Sequence, residues 1–491
     1  MNNEKKIIRA IITSFIALLS LVSIMITLSI GPALAIYVPA QNEKQYENAI
    51  TEKMDRLKSL AKDGKNKVVI IGGSSTAFGF QSELIEEYVG MPVVNLGTYA
   101  ALGTKLMLDL ADNYIKDGDI VIISPELDAQ TLSLYFSSYF TLRAIDGEFS
   151  LLFDIPVKHW LNLWGASWNF AAEKRQYMKN GTMPDPKGVY NADNFNEYGD
   201  IEYERPENKM TVYFNRQNDR IVLEKDILSA DFAEYLNDYY KKLTRRGAQV
   251  YFYYCPMNSL SVNDTGTYEN RYEFENYLKS EINIPILGGI DEHIMDPGYF
   301  YNSNFHLNEP GARMNTILLL NELFFEMGNP TAVEEEIPAP PALPEQNVRF
   351  DGYDANSEYF TFAQKADNSY MITGVKDEYK HLTELTLPCG YNGYIVNTIG
   401  RAAFEGSNVD SIIIPRDSKY TDIMDGAFKG AGNLSRLYLY CNDAESLPPP
   451  ASGFSGVDKD FKIYFEPGSS FQTDYYWKEA YGEGLKYELI K

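Results

Sequence analysis

Ser74 stands in VVIIGGSSTAFGF (68–80), where four apolar residues run into two glycines and two serines. The pattern is a buried strand breaking into a small-residue turn, with hydroxyls at the strand's carboxyl end. A phosphate loop would need a lysine after its glycines, and Ser75-Thr76-Ala77 supplies none. A dinucleotide turn would need G-x-G-x-x-G, which is absent. The turn therefore holds either a serine nucleophile or nothing chemical. A nucleophile needs a base for its proton, donors for the oxyanion and a group that orients the base. The chain offers four histidines. His159 lies among aromatics and His381 in a repeated region, which leaves His293 and His306. His306 belongs to FHLNEPGARM (305–314), a loop feeding a helix through Asn308-Glu309-Pro310. A loop in that position can bring an imidazole back over the first strand. The histidines are scattered without metal-ligand spacing, so the expectation is no metal and no cofactor.

Elements of α/β type must position these groups. Strand 67–71 is followed by a helix near 81–89, with Leu84, Ile85, Tyr88 and Val89 on one face. A strand at 92–96, a helix near 103–115 and a strand at 119–124 come next. Later, a helix at 231–244 leads into AQVYFYYC (248–255), and a helix at about 309–326 closes the region. Strands alternating with helices imply a parallel sheet covered on both faces. The stretch 129–230 is rich in aromatics and poor in periodicity; it reads as an insertion over the carboxyl edge of the sheet.

At 491 residues the chain exceeds one ordinary core. Its net charge of −24 disfavours nucleic acid, whose binders need a basic surface. Cys255, Cys389 and Cys441 form no CxxC pair and read as buried free thiols. Lys5, Lys6 and Arg9 precede Ala10–Ile30, an uncharged run long enough to cross a bilayer. The positive flank puts the amino terminus in the cytoplasm and the bulk outside. Residues 1–40 are thus expected to be a single-pass signal-anchor, with secretion after cleavage at Ala35 as the alternative. Residues 41–66 read as a polar helical spacer, and 67–328 as the α/β domain. The Pro-rich NPTAVEEEIPAPPALPEQ opens a linker over 329–349. Within 350–491, IVNTIGRAAFEGSNVDSIIIP (395–415) is echoed by YTDIMDGAFKGAGNLSRLYLY (420–440), with Phe404 and Phe428 24 residues apart. A weaker copy follows at Phe454, Phe461, Ile463 and Phe465. That period, with one short alternating strand per turn, suits a small solenoid.

The repeats resemble BspA-type leucine-rich repeats, which occur on bacterial surfaces. The blocks IIGGSSTAFGF, VVNLGTYAALG (93–103) and FHLNEPGARM together resemble the SGNH (GDSL-like) hydrolases, in particular their membrane-anchored, extracytoplasmic bacterial members. The resemblance implies a flavodoxin-like sheet, Ser74 as nucleophile, His306 as base, and the N–H of Gly97 or Ala100 in the oxyanion hole. Two departures stand out. IISPELD (122–128) has Glu126 where the family carries an Asn donor, and the acid expected three or four residues before His306 is replaced by Asn302 or Ser303. Asp291 and Asp296 are the other acids near that loop. The resemblance implies an esterase or O-acyltransferase acting on cell-envelope polysaccharide or an acyl-carbohydrate. The competing expectation is a degenerate surface protein whose repeats bind a protein or glycan.

Overall fold

Runs of valine and isoleucine build the central sheet. Val68–Gly72 (β1), Val93–Asn95 (β2), Ile120–Ser124 (β3) and Gln249–Tyr253 (β4) pair in parallel, in the order β2-β1-β3-β4, and Ile286–Leu287 adds a short fifth strand beside β4. Side chains alternate across a strand, so each strand feeds two cores. Val69, Ile71, Val121, Ile123, Val250 and Phe252 enter one; Val68, Ile70, Ile120, Ile122, Tyr251 and Tyr253 enter the other. Both faces are dry, which is why β1 and β3 read as unbroken apolar runs. Each fully buried Val or Ile contributes about 1.5–3 kcal/mol to stability.

The computed structural model describes residues 2–37, 44–180, 186–210, 220–263, 267–329, 333–345, 348–365, 367–441, 447, 449–450, 454–472, 477 and 486–490. The 40/41 boundary, both ends of the linker core and parts of the last repeat lie outside the described residues. The helices in chain order are α1 (Asn2–Tyr37), α2 (Ala49–Lys62), α3 (Ser74–Gly79), α4 (Ser82–Val89), α5 (Thr104–Ala111), α6 (Ser138–Ala144), α7 (Trp160–Asn180), α8 (Ala230–Arg245), α9 (Ser259–Asn263) and α10 (Arg271–Glu281). A closing helix follows at Glu309–Glu326. Leu84 and Ile85 of α4 pack on the same core as Ile317, Leu320 and Leu323 of the closing helix. On the opposite face lie Ile50, Met54 and Leu57 of α2, Leu106 and Leu108 of α5, and Phe232, Leu236 and Leu243 of α8. Within α1, Ile12–Ala35 is long and apolar enough to span a membrane, and its side chains from Ile12 to Ile30 are largely exposed.

Four expectations change. Residues 41–66 are no mere spacer: Ile50, Met54 and Leu57 recur on one face of α2 and are buried in the core. The polar composition masked a single narrow apolar stripe. The helix expected over 103–115 ends at Ala111, and a 3₁₀ turn carries on through Asp112–Tyr114. The Pro-rich segment does not stand clear of the α/β unit over its first half. Val333 is buried and its N–H donates to Asn321 Oδ1 at 2.9 Å, Glu335 pairs with Arg313, and the Pro338 carbonyl accepts from Tyr299 OH at 2.7 Å. Among the thiols Cys255 is buried, whereas Cys389 and Cys441 are only partly so.

Beyond the linker a second core gathers residues from Phe360 to Trp477. Strands Glu384–Thr386, Ser411–Ile414, Arg436–Leu439, Lys462–Phe465 and Lys486–Leu489 form one parallel ladder. Leu385, Ile412, Leu437 and Ile463 lie in register across it. The Phe404 and Phe428 rings stack at 5.8 Å, and Phe454 follows Phe428 at 5.6 Å. Each repeat's phenylalanine therefore covers its neighbour's.

Candidate active site

The direction of strand order reverses at β1, and a crevice is expected at the carboxyl ends of strands beside such a point. There Gly72 lies opposite Ser124, and the chain turns straight into α3. Both glycines of the turn are needed for clearance. A Cβ at Gly72 would strike Thr76 Oγ1 and the Ser124 carbonyl; one at Gly73 would strike the Glu126 carboxylate. Thr76 Oγ1 donates to the Ser124 carbonyl at 2.9 Å and ties α3 to β3. Ser74, the first residue of α3, is left half-buried.

His306 arrives from the opposite side on a loop that is hydrogen-bonded at both ends. Tyr301 N–H donates to the His306 carbonyl at 2.8 Å, and Asn308 caps the closing helix by accepting from Gly311 N–H at 2.9 Å. The imidazole stacks on Phe78 with centroids 4.1 Å apart and planes 3° from parallel. Its Nε2 lies 2.7 Å from Ser74 Oγ, and its Nδ1 lies 2.9 Å from Asn302 Oδ1. Asn302 Nδ2 donates to Tyr190 OH at 3.0 Å, which turns the amide oxygen toward the ring. This network assigns the proton to Nδ1 and leaves Nε2 to accept from the serine. Burial, and next the nearby Arg205 guanidinium, push the imidazole down to about 3. The ring is therefore neutral and able to accept a proton, but the group behind it, Asn302, is an uncharged amide that cannot stabilise imidazolium as a carboxylate would.

The other candidates lie elsewhere. Ser303 Oγ accepts from Phe305 N–H at 3.2 Å, so Asn302, not Ser303, stands behind the ring. Asp291 is bound by Arg271 and Tyr272, and Asp296 caps the Gly298 N–H at 2.7 Å. His293 is buried edge-on to Tyr253 and 3.5 Å from Glu322, with its ring pushed down to about 3 by burial. His159 stacks on Phe136 at 4.0 Å. Among the described residues no group of three His, Cys, Asp or Glu side chains is arranged to hold a metal.

The oxyanion side departs from expectation at Gly97. Its N–H donates to Asn95 Oδ1 at 2.8 Å, and Lys53 Nζ donates to its carbonyl. A Cβ there would strike Ala77 N and Asn95 Oδ1. Gly97 is thus small so that its loop can pass beneath α3, and its N–H is already spent. Ala100 opens a 3₁₀ turn whose carbonyl accepts from Gly103 N–H at 2.9 Å; an N–H at that first position makes no bond within the turn.

Glu126 fills the remaining side. Its Oε1 accepts the Ser75 N–H at 2.7 Å and lies 3.3 Å from Ser74 Oγ. Burial, with Asp128 adding to it, raises this carboxyl above the ordinary range. Oε2 is buried and has no hydrogen-bond partner among the described residues. An ionised Glu126 would oppose an oxyanion at that distance by about 5 kcal/mol in a medium of effective dielectric constant near 20. The neutral acid would instead bring an O–H to the place where a donor is needed.

Several supporting residues carried no clear signal in the chain. Asn95 Nδ2 donates to the Thr76 carbonyl at 2.9 Å and to Asp200 Oδ1 at 2.8 Å; Asp200 in turn accepts from Ser82 N–H and Oγ. Buried Lys53, pushed down to about 7 by burial against the pull of Asp200, closes this knot with a 2.7 Å bond to the Gly199 carbonyl. An Asn ending an apolar strand was a visible cue. Asp200, Arg205 and Tyr190 come from the insertion, where no periodicity marked them. No protein-family model and no curated protein matches this chain.

Proposed function

We propose that the chain is a membrane-anchored serine esterase or O-acyltransferase of the SGNH type, working outside the cytoplasm on acyl groups of envelope carbohydrate. The observation that carries this reading is the Ser74–His306 contact at 2.7 Å with Asn302 behind the ring. The strand order supports it, being that of flavodoxin-like doubly wound sheets. The in-register ladder and stacked phenylalanines support a leucine-rich-repeat solenoid for the carboxyl-terminal region.

Ser74 Oγ attacks the acyl carbonyl as its proton passes to His306 Nε2. The tetrahedral oxyanion is met by the Ser74 and Ala100 N–H groups and, in its protonated form, by Glu126, whose carboxyl is raised above its ordinary value by burial. Collapse breaks the bond to the leaving alcohol, which takes the proton from His306. An incoming O–H then gives its proton to His306 and attacks the acyl-enzyme carbonyl; collapse breaks the bond to Ser74 Oγ, which takes the proton back from His306. Water as that acceptor makes an esterase; a sugar hydroxyl makes a transferase. A fluorophosphonate probe tests the reading: labelling that is lost in Ser74→Ala supports it, and labelling equal in both refutes it.

One observation favours a second reading. If Glu126 is ionised beside Ser74, the site opposes an oxyanion, and the chain is better read as a surface protein that binds a protein or glycan through its repeats.

A further inference from the structure

The insertion carries an exposed apolar strip that the proposed chemistry does not use. Phe153 is 80% exposed, Val157 72% and Leu161 73%, with Trp160 and Trp168 also exposed. Phe153 and Trp160 meet edge to face at 6.3 Å, so the strip is continuous. Between Ile155 and Ala172 only Lys158 carries a full charge. Three of the chain's four tryptophans lie in this one helix. A soluble surface rarely gathers such groups without something to cover them.

The position of the strip relative to α1 identifies the cover. Trp164 Nε1 donates to the Leu28 carbonyl, the Trp168 ring lies against Gly31, and Lys174 Nζ donates to the Ala35 carbonyl at 2.9 Å. Both helices advance in the same sense, so α7 runs parallel to the end of α1. At about 1.5 Å per residue, the uncharged run from Ala10 to Ile30 spans roughly 30 Å, the thickness of a bilayer's hydrocarbon. The edge of the hydrocarbon then falls near Ile30, level with Trp164 and Trp168. Leu161 and Trp160 lie about one helical turn, or ~5 Å, further toward the bilayer. Tryptophan at this depth with aliphatic side chains beneath is the composition of an interfacial segment. The only full charge in the strip is a lysine, whose long stem can carry its ammonium back to the headgroups.

We propose that Phe153, Val157, Trp160, Leu161 and Trp168 rest in the bilayer interface, making the insertion a foot that seats the α/β unit on the membrane. The occupant of the strip is lipid. A cavity of about 520 Å³ opens beside this foot, between Tyr135, Phe136 and Tyr139 on one wall and Leu161, Gly165 and Ala166 on the other. Its Tyr135 wall packs on Gly103, next to the Ala100 turn of the candidate site. The foot therefore holds that turn close to the membrane surface. The proposal rests on α1 being embedded, not on the serine chemistry.

The test uses the full chain in phospholipid vesicles with Cys389→Ser and Cys441→Ser, leaving buried Cys255. Nitroxides are placed singly through Phe153→Cys, Leu161→Cys, Phe15→Cys in α1 and Tyr353→Cys beyond the linker. Collision with oxygen and with a water-soluble nickel chelate is then measured by spin resonance. The expected result is oxygen-rich, nickel-poor behaviour at positions 153 and 161, as at 15, with several-fold higher nickel access at 353. Nickel access at 161 equal to that at 353 would overturn the foot. So would low access to both reagents, which would mean a protein partner or second copy covers the strip. Nickel access at 15 would show instead that the anchor itself is wrong.

Discussion

Asn302→Asp is the most informative single change. The wild-type ring donates Nδ1–H to a neutral amide oxygen at 2.9 Å, so the imidazolium formed during proton transfer gains no charge partner. A carboxylate at the same place would supply one. Two unit charges 2.9 Å apart interact by about 6 kcal/mol at an effective dielectric constant of 20. That equals roughly four decades in rate, the same size as the ~10⁴-fold loss when a catalytic histidine's aspartate becomes asparagine. Part of this is lost to desolvating the new charge, so a rise of about 10²–10⁴-fold is expected. The site can accept the exchange. Asn302 is half-buried, and the second Asp oxygen would accept from Tyr190 OH, which now receives Asn302 Nδ2–H at 3.0 Å. The assay is hydrolysis of p-nitrophenyl acetate by the full chain in detergent, with Ser74→Ala in both backgrounds. The pH profile should also shift, because the carboxylate lifts the imidazole from about 3 toward its ordinary range. A wild type indistinguishable from Ser74→Ala, together with no gain in Asn302→Asp, refutes the catalytic reasoning. A gain that survives Ser74→Ala would place the reaction elsewhere.

Glu126→Gln, which keeps a neutral donor beside Ser74, should hold activity within a few-fold at low pH and remove the alkaline loss expected as wild-type Glu126 ionises; Glu126→Ala should cost about 10²–10³-fold in kcat. If Gln is as damaging as Ala, the neutral-acid role is wrong. Gly73→Ala should abolish esterase activity because its Cβ meets the Glu126 carboxylate, and combining it with Glu126→Ala should recover part of the loss; additive losses would refute that contact. His306 has its folded value lowered from 6.5 to about 3, so the unfolded chain binds its proton first as pH falls, and stability is lost from about pH 6.5 downward. By pH 5 this amounts to about 2 kcal/mol, read as a fall in urea midpoint that His306→Gln should reduce; an unchanged pH dependence would contradict the burial. Protease added to intact, wall-stripped cells should digest the repeats, and complete protection would overturn an outside location.

Signals that depend on neighbours a few residues apart were readable from the chain. Unbroken Val/Ile runs marked β1 and β3, because a strand buried on both faces needs no polar residues. Asn308-Glu309-Pro310 marked the start of the closing helix, since a cap and an early proline act within one turn. Ser74 and His306 were legible because each sits beside such an element, whereas Asn302, with Ser303 as its alternative, came only from the resemblance to the SGNH hydrolases. Tertiary structure decided the rest. Whether Asn302 or Ser303 faced the ring depended on Tyr190, 112 residues away, taking the amide nitrogen. The resemblance offered Gly97 or Ala100 as the oxyanion donor, yet Asn95 and Lys53 claim the backbone of Gly97. Glu126 stands where the resemblance expects an Asn, and only the fold shows it buried with its Oε1 accepting the Ser75 N–H. The polar composition of residues 41–66 hid a helix face that only the opposing sheet and insertion could show to be core. Backbone periodicity is local, so the chain alone specifies it. The partner of a buried polar atom, and hence its protonation, is set by residues far away in sequence, and only the assembled fold brings them together.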